Sequence, residues 1–214
     1  DGDLWVSYSV NKEDMWISRI PVPVEINASA HADDDFSKNK SIAELTDWNI
    51  YSPVWAPVSL EDQWLKLQDK DPFDYAKVER KIPASKELKV SFDLKAGQNN
   101  KGTLQIEFLD ENGIACSRME LTDDGIFRLK GGSRFANMMK YEAGKIYHVE
   151  AVLSTVDRNI QVYVDGKRVG LRMFYAPVAA VERIVFRTGV PRTFPTVDTP
   201  ADQTYDLPNA GAQD

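Results

Sequence analysis

The sequence predicts an all-β protein, and three observations support that fold class. Apolar and polar residues alternate without a fault over residues 87–95 and again over 159–164. Asn-Gly and Asp-Gly pairs at 112–113 and 165–166 supply tight turns between such segments. No segment of comparable length carries apolar residues at helical spacing. Strict alternation is what a strand with one buried face requires, so many short strands predict packed sheets rather than a βαβ fold.

The predicted strands divide the chain into four regions. The strands are predicted at residues 4–9, 14–19, 48–51, 64–67, 87–95, 104–108, 115–121, 126–129, 146–154, 159–164, 167–169 and 181–186. The first two form a predicted β-hairpin at 1–24, which Pro21 and Pro23 end because proline donates no amide proton to a ladder. A linker or long surface loop is predicted at 25–47, a β-sandwich at 48–189, and a proline-rich extended tail at 190–214.

Composition narrows the class of function. The 214 residues are 43% hydrophobic, enough for one large β domain with a core. The 33 acidic residues outnumber the 26 basic ones, which disfavours a nucleic-acid partner. No apolar run approaches the ~20 residues that span a bilayer, so no membrane span is predicted. The chain opens in strand-like sequence without a leader, and we expect a processed product or a piece of a longer protein.

The single cysteine, Cys116, excludes an internal disulfide framework. It lies in a predicted strand, and only His31 and His148 are available as histidine partners that would stabilise a thiolate. We therefore predict a buried, inert thiol rather than a nucleophile.

The N-terminal residues carry a family resemblance. Asp-Gly-Asp-Leu-Trp-Val-Ser-Tyr-Ser at 1–9 and Asn-Lys-Glu-Asp-Met-Trp-Ile-Ser-Arg-Ile-Pro at 11–21 resemble the closing blade of a sialidase-like, BNR-type β-propeller from glycan-degrading bacteria. A propeller blade has four strands and only two fit here, so the resemblance implies that the rest of the propeller lies upstream. The sialidase Asp-box, Ser-x-Asp-x-Gly-x-x-Trp, is absent, and sialidase chemistry is not assigned to this chain.

Residues 48–189 resemble the concanavalin A-like or laminin G-like jelly-roll modules attached to such enzymes. The resemblance is carried by Ile-Gln-Val-Tyr-Val-Asp-Gly-Lys at 160–167 and by Lys-Ile-Tyr-His-Val-Glu-Ala at 145–151. It implies a concanavalin-like jelly-roll β-sandwich behind the hairpin. Such domains often finish with a further strand after the proline-rich segment, so we expect truncation at both ends.

The turn of the N-terminal hairpin is the first candidate carbohydrate site. It concentrates Asn11, Lys12, Glu13 and Asp14, and propeller enzymes bind substrate on loops of this kind. Lys12 would meet a sugar carboxylate, and Glu13 or Asp14 would act as acid or base. The alternative, which we prefer, is a solvated turn. Tyr8 would act as a nucleophile only with a carboxylate partner, and we prefer the interpretation that it packs in the structure.

Aromatic and basic residues supply further candidates. Trp48, Trp55 and Trp64 form a sugar-stacking platform in one interpretation and anchor the core or a domain junction in the preferred one. In the tail region, Arg187, Arg192 and Phe194 either close over a site or, as we prefer, pin the sandwich to a propeller.

The sequence predicts no cofactor and no metal site, with calcium as the one alternative. Concanavalin-like folds sometimes hold calcium, and Asp33, Asp34 and Asp35 are consecutive carboxylates. Calcium needs six or more oxygens from a shaped loop, which three neighbouring aspartates do not provide. We therefore predict a solvated acidic loop. Neither His31 nor His148 has metal-ligand spacing to a second His or Cys.

Three functions remain open at the level of sequence. The leading one is a non-catalytic accessory module at the C-terminal end of a secreted or periplasmic glycan-active propeller enzyme, with carbohydrate and the upstream propeller as partners. The second is a contribution through residues 11–14 to the active site of a glycoside hydrolase or polysaccharide lyase, for which a pair of carboxylates would be diagnostic. The third is a free-standing lectin-like domain.

Overall fold

The structure is a computed structural model, and it describes residues 3–10, 14–20, 32–70 and 75–189. Its regular elements there are strands, apart from two short 3₁₀ turns at Phe36–Lys38 and Ile42–Glu44. In chain order the strands are β1 (Leu4–Val10), β2 (Asp14–Ile20), β3 (Trp48–Tyr51), β4 (Val58–Glu61), β5 (Trp64–Leu67), β6 (Lys77–Ser85), β7 (Glu87–Lys95), β8 (Leu104–Leu109), β9 (Ala115–Leu121), β10 (Ile126–Gly131), β11 (Arg134–Lys140), β12 (Ile146–Ser154), β13 (Asn159–Val164), β14 (Lys167–Met173) and β15 (Val181–Thr188). The predicted all-β class is confirmed.

Two antiparallel sheets form the body of the protein. A seven-stranded sheet has the order β11-β10-β9-β8-β15-β6-β3, and a four-stranded sheet has the order β14-β13-β12-β7. Strand β15 lies between β8 and β6, so the last described strand closes the larger sheet across its middle. The described residues therefore form the predicted two-layer sandwich.

The core lies between the two sheets and follows the alternation seen in the sequence. On β7, Leu88, Val90, Phe92 and Leu94 face the core while the residues between them are exposed. Ile106 and Phe108 of the larger sheet are fully buried opposite this layer. Phe92 meets Phe186 edge-on, with ring centroids 5.1 Å apart, and so joins the two sheets. Burial of this apolar area, at roughly 25 cal/mol per Å², is what drives the layers together.

Residues 32–47, within the predicted linker region, pack against the end of the sandwich. The guanidinium of Arg80, on β6, donates through Nε to Asp34 Oδ2 at 2.8 Å and lies 3.3 Å from Asp47 Oδ2. The Phe36 ring lies 5.9 Å from the Trp48 ring. A second apolar cluster around Val58 and Val78 fills this end of the molecule.

Three strands were not predicted, namely β4, β6 and β11. The sequence of β6 combines charged residues with Pro83, which argues against a central strand. The structure places Pro83 where the pairing with β15 shifts register, between the pairs Val181–Ser85 and Arg183–Lys81. A bulge tolerates the missing amide proton, and that is why the strand persists around the proline.

Strands β1 and β2 pair with each other from Leu4–Ile20 to Val10–Asp14 and form a separate two-stranded sheet among the described residues. Trp5, Met15 and Ile17 on this hairpin are exposed. An isolated two-stranded hairpin is at best marginally stable in water.

Cys116 is fully buried, as predicted, and burial raises the pKa of its thiol to about 12. Because only the thiolate reacts, we expect alkylation by iodoacetamide at pH 8 to be slow in the native chain and rapid in urea. Mass spectrometry of the labelled protein measures both rates. Equal rates in the two conditions would contradict the burial of Cys116.

Candidate functional site

Two rows of mostly polar side chains cross the outer face of the larger sheet. Their register is fixed by the pairing of β8, β9, β10 and β11. One row runs Glu107, Arg118, Lys130, Phe135, and the other runs Gln105, Glu120, Arg128, Asn137. The residues between them on β8 to β10, including Ile106, Met119 and Leu129, are fully buried and face the core. Alternation in four adjacent strands thus collects charged groups on one surface.

Two of the three cations in these rows are paired with carboxylates. Arg118 donates through Nε to Glu107 Oε1 at 2.7 Å, and Arg128 Nη2 lies 2.7 Å from Glu120 Oε1. Both glutamates are buried, at 8% and 5% exposure. Burying a carboxylate is favourable only when a partner compensates it, so these pairs fix the arginines in place.

Two aromatic rings complete the surface. Lys130 Nζ lies 4.4 Å from the ring centroid of Tyr175 and 5.9 Å from that of Phe135. The Arg128 guanidinium lies 4.3 Å from the Phe135 centroid. Tyr175 is positioned by its backbone amide, which donates to the Cys116 carbonyl at 3.0 Å. We call Arg118, Arg128, Lys130, Phe135 and Tyr175 the basic–aromatic patch.

The electrostatics of the patch centre on Lys130. Burial lowers the pKa of its ammonium group, the positive charge of Arg118 on the neighbouring strand lowers it further, and the negative charges of Glu107 and Glu120 partly oppose these effects. Among the described residues, no carboxylate forms an ion pair with Lys130. Burial also raises the pKa of Tyr175, whose buried hydroxyl has no hydrogen-bond partner in the described part of the chain. The patch therefore offers the N–H donors of Lys130 beside ring surfaces, the combination that binding of a polar ligand uses.

The three tryptophan candidates lie in different surroundings. Trp48 is half-buried between Phe36 and Phe186, with centroids 5.9 and 6.5 Å away. Trp55 is 65% exposed in the loop between β3 and β4. Trp64 is half-buried on β5. A stacking role for the three tryptophans remains a prediction, and Trp55 is the one whose ring is open to solvent.

The other predicted carbohydrate residues lie at the hairpin turn. Asn11, Lys12 and Glu13 lie outside the described residues, and Asp14 begins β2. A carbohydrate role for this turn remains a prediction.

Of the predicted interface residues, Arg187 lies on the outer face of β15 with its guanidinium 3.8 Å from the Tyr75 ring centroid. Arg192 and Phe194 lie outside the described residues. The Arg187 position is on the same sheet face as the basic–aromatic patch, because its Cα partner is Gln105.

The acidic run is engaged in local contacts. Asp34 accepts from Arg80, and Asp35 accepts from the amide and the hydroxyl of Ser37, at 2.9 and 2.8 Å. Those hydrogen bonds lower the pKa of Asp35. Within the described segments, no group of three or more His, Cys, Asp or Glu side chains is arranged to hold a metal ion.

The basic–aromatic patch was not predicted from the sequence. The signal was present, since charged residues occupy alternate positions at Arg118 and Glu120 and again at Arg128 and Lys130. Tyr175 gave no comparable signal, because it reaches the patch from a loop outside the four strands.

Two facing antiparallel sheets with a polar, aromatic outer face define a β-sandwich with a ligand-binding candidate on its larger sheet. Residues 48–203 match the family model described as "Sialidase-like, CBM domain", in which CBM denotes a carbohydrate-binding module. The chain belongs to this family. The resemblance to a sialidase-like protein with a β-sandwich module is thereby confirmed.

Solved structures are also similar to this chain. One named "Sialidase" is 89% identical, has a TM-score of 0.86, and covers 100% of this chain but 20% of its own length. This chain therefore spans about a fifth of that sialidase. Sheep galectin-11 in complex with glycerol is 17% identical with a TM-score of 0.41, covering 51% of this chain and 88% of its own.

A sialidase of Trypanosoma rangeli in complex with 2,3-difluorosialic acid is 14% identical, with a TM-score of 0.43, and covers 70% of this chain and 27% of its own. No curated protein matches the chain. No helix in the described residues is long and apolar enough to cross a membrane.

Proposed function

We propose that this chain is a non-catalytic, carbohydrate-binding accessory module of a longer sialidase that acts outside the cytoplasm, secreted or periplasmic. The observation that carries the proposal is the family match over residues 48–203. The 89% identical sialidase, of which this chain spans 20%, supports a larger parent protein.

The basic–aromatic patch is the surface we propose for sugar contact. Sugars bind through apolar ring faces that pack on aromatic side chains and through hydroxyls that accept or donate hydrogen bonds. Phe135 lies half-buried at the edge strand β11, next to the exposed Asn137, so a ring and an amide face solvent together. Arg118 and Arg128 are already fixed by buried glutamates, which limits the side-chain entropy that binding would cost.

We further propose that the hairpin of β1 and β2 joins strands supplied by the rest of the parent sialidase. Its pairing is internal among the described residues, and Trp5, Met15 and Ile17 are exposed. An isolated two-stranded hairpin is marginally stable in water, so added strands that cover these side chains would stabilise it. This arrangement would anchor the sandwich to the catalytic part.

The test is a glycan array probed with the 214-residue chain, followed by a turnover assay on every glycan that binds. We expect binding without turnover. Turnover by this chain would contradict the accessory role, and the absence of any bound glycan would contradict carbohydrate binding.

Alanine substitutions separate the two aromatic surfaces that the structure offers. Phe135→Ala is expected to weaken binding about three- to tenfold, the size of one aromatic contact, and Trp55→Ala is expected to leave it unchanged. Isothermal titration with the best array glycan measures both variants. The reverse result would move the site to the β3–β4 loop.

A further inference from the structure

We propose that the basic–aromatic patch selects acidic glycans and that Lys130, together with Arg118, binds the anionic group, a carboxylate or a sulfate. This inference rests on the proposed carbohydrate binding and names its ligand class. It starts from the one cation of the patch whose charge the described residues leave without a carboxylate partner.

Lys130 and Arg118 are Cα partners on β10 and β9, so two positive side chains lie directly opposite each other. Like charges in that position destabilise a sheet. Glu107 forms its ion pair with Arg118, through the 2.7 Å contact to Nε, and its charge and that of Glu120 act on Lys130 only from beyond ion-pair distance. An anion bound beside Lys130 would reduce the remaining repulsion between the two cations, because no carboxylate of the described residues forms an ion pair with Lys130.

The rings hold the Lys130 ammonium without using its protons. Cation–π attraction from Tyr175 at 4.4 Å and Phe135 at 5.9 Å acts on the charge as a whole. The three N–H donors of the ammonium remain available, since the described residues provide no acceptor for them. The nearby Tyr175 hydroxyl is buried without a partner in the same part of the chain. The site is thus held in place and yet has unsatisfied donors.

The charge balance of the patch indicates how many negative charges the bound group carries. The patch has three cations, Arg118, Arg128 and Lys130, against the two carboxylates of Glu107 and Glu120. One uncompensated positive charge matches a single carboxylate or sulfate. A nucleic acid would need several phosphate contacts, and the net charge of -7 repels a dense polyanion. An acidic sugar in an otherwise neutral glycan fits both conditions.

The experiment uses a glycan array of matched pairs, in which each neutral glycan is printed beside its sialylated, uronic-acid-bearing or sulfated form. We expect the intact chain to bind acidic members at least about tenfold more tightly than their neutral partners, as charge-assisted hydrogen bonds require. The carboxylated and sulfated arms identify which anion is used. If the chain binds neutral members equally well, the inference is wrong while carbohydrate binding stands; if it binds no glycan, the proposed function fails.

Variants connect that preference to Lys130. Lys130→Met keeps the apolar stem and removes the charge, and it is expected to lose the acidic preference and weaken binding about tenfold. Lys130→Arg is expected to keep the preference. Lys95→Met, on an exposed position of the opposite sheet, is the matched control and should bind as the wild type does. An unchanged acidic preference in Lys130→Met, with cooperative unfolding preserved, would overturn the assignment.

Salt provides a readout that a purely structural role of Lys130 would not affect. Raising NaCl from about 50 to about 500 mM should weaken wild-type binding several-fold, because screening shortens the range of the attraction. The same change should affect Lys130→Met much less. Parallel salt dependence in the two proteins would contradict a direct contact between Lys130 and the anion.

Discussion

Replacing Phe108 by alanine is expected to lower the free energy of unfolding by about 3–5 kcal/mol. Phe108 is fully buried on β8, where its neighbours across the strands are Ser117 and Ile184. The substitution removes the transfer free energy of the ring and leaves a cavity between two sheets that interlocking side chains hold apart. Since domains of this size are stable by about 5–15 kcal/mol, the loss is a large fraction of the total.

Urea unfolding followed by tryptophan fluorescence measures this effect in the full chain. Phe108→Leu retains most of the volume and should cost less than half as much. Leu171→Ala is the surface control, because Leu171 is 47% exposed, and it should change stability by less than about 0.5 kcal/mol. A Phe108→Ala loss no greater than the Leu171→Ala loss would mean that the two sheets do not close over β8.

The sequence predicted the strands that have one face toward the core and the other toward water. Residues 87–95 alternate because β7 has the core on one face and water on the other, and the structure reproduces that period over the whole strand. The same logic fails for β6, which has Glu79 and Arg80 buried on opposite faces. Ion pairs, rather than exposure, satisfy these charged residues. A pattern that equates charge with solvent therefore misses a central strand.

The basic–aromatic patch could not be predicted from single strands either. Each strand of the patch reads as an ordinary amphipathic segment, and only the register of four strands brings Arg118, Lys130 and Phe135 into one row. Register depends on bulges such as the one between Phe127 and Arg128, which local sequence does not specify. Tryptophan is a candidate sugar-binding residue by its side-chain chemistry alone, whereas the patch depends on neighbours that only the fold brings together.

Contacts between residues far apart in the sequence were not predicted either. The most consequential of them joins Arg80 to residues 32–47. Arg80 and Asp34 are 46 residues apart, and the Arg80 side chain is 7% exposed. A guanidinium so deeply buried needs partners, which makes the acidic run a structural feature of the sandwich end. Asp34 is thus explained without any ligand.

Arg80→Met is accordingly expected to reduce the free energy of unfolding by about 2–3 kcal/mol. Breaking a fully buried ion pair costs about 3–5 kcal/mol, and the smaller figure reflects the partial exposure of Asp34 and Asp47, at 26% and 50%. Lys66→Met is the matched control, since it breaks the Lys66–Glu61 pair, whose members are 41% and 51% exposed, and should cost less than about 0.5 kcal/mol.

Hydrogen exchange adds a local measurement: in Arg80→Met the amides of residues 36–48 should lose protection, while those of β12 and β13 keep it. Equal stability of the two variants, or unchanged protection at 36–48, would show that residues 32–47 are held to the sandwich by the apolar contacts of Phe36 and Trp48 and that Arg80 contributes little.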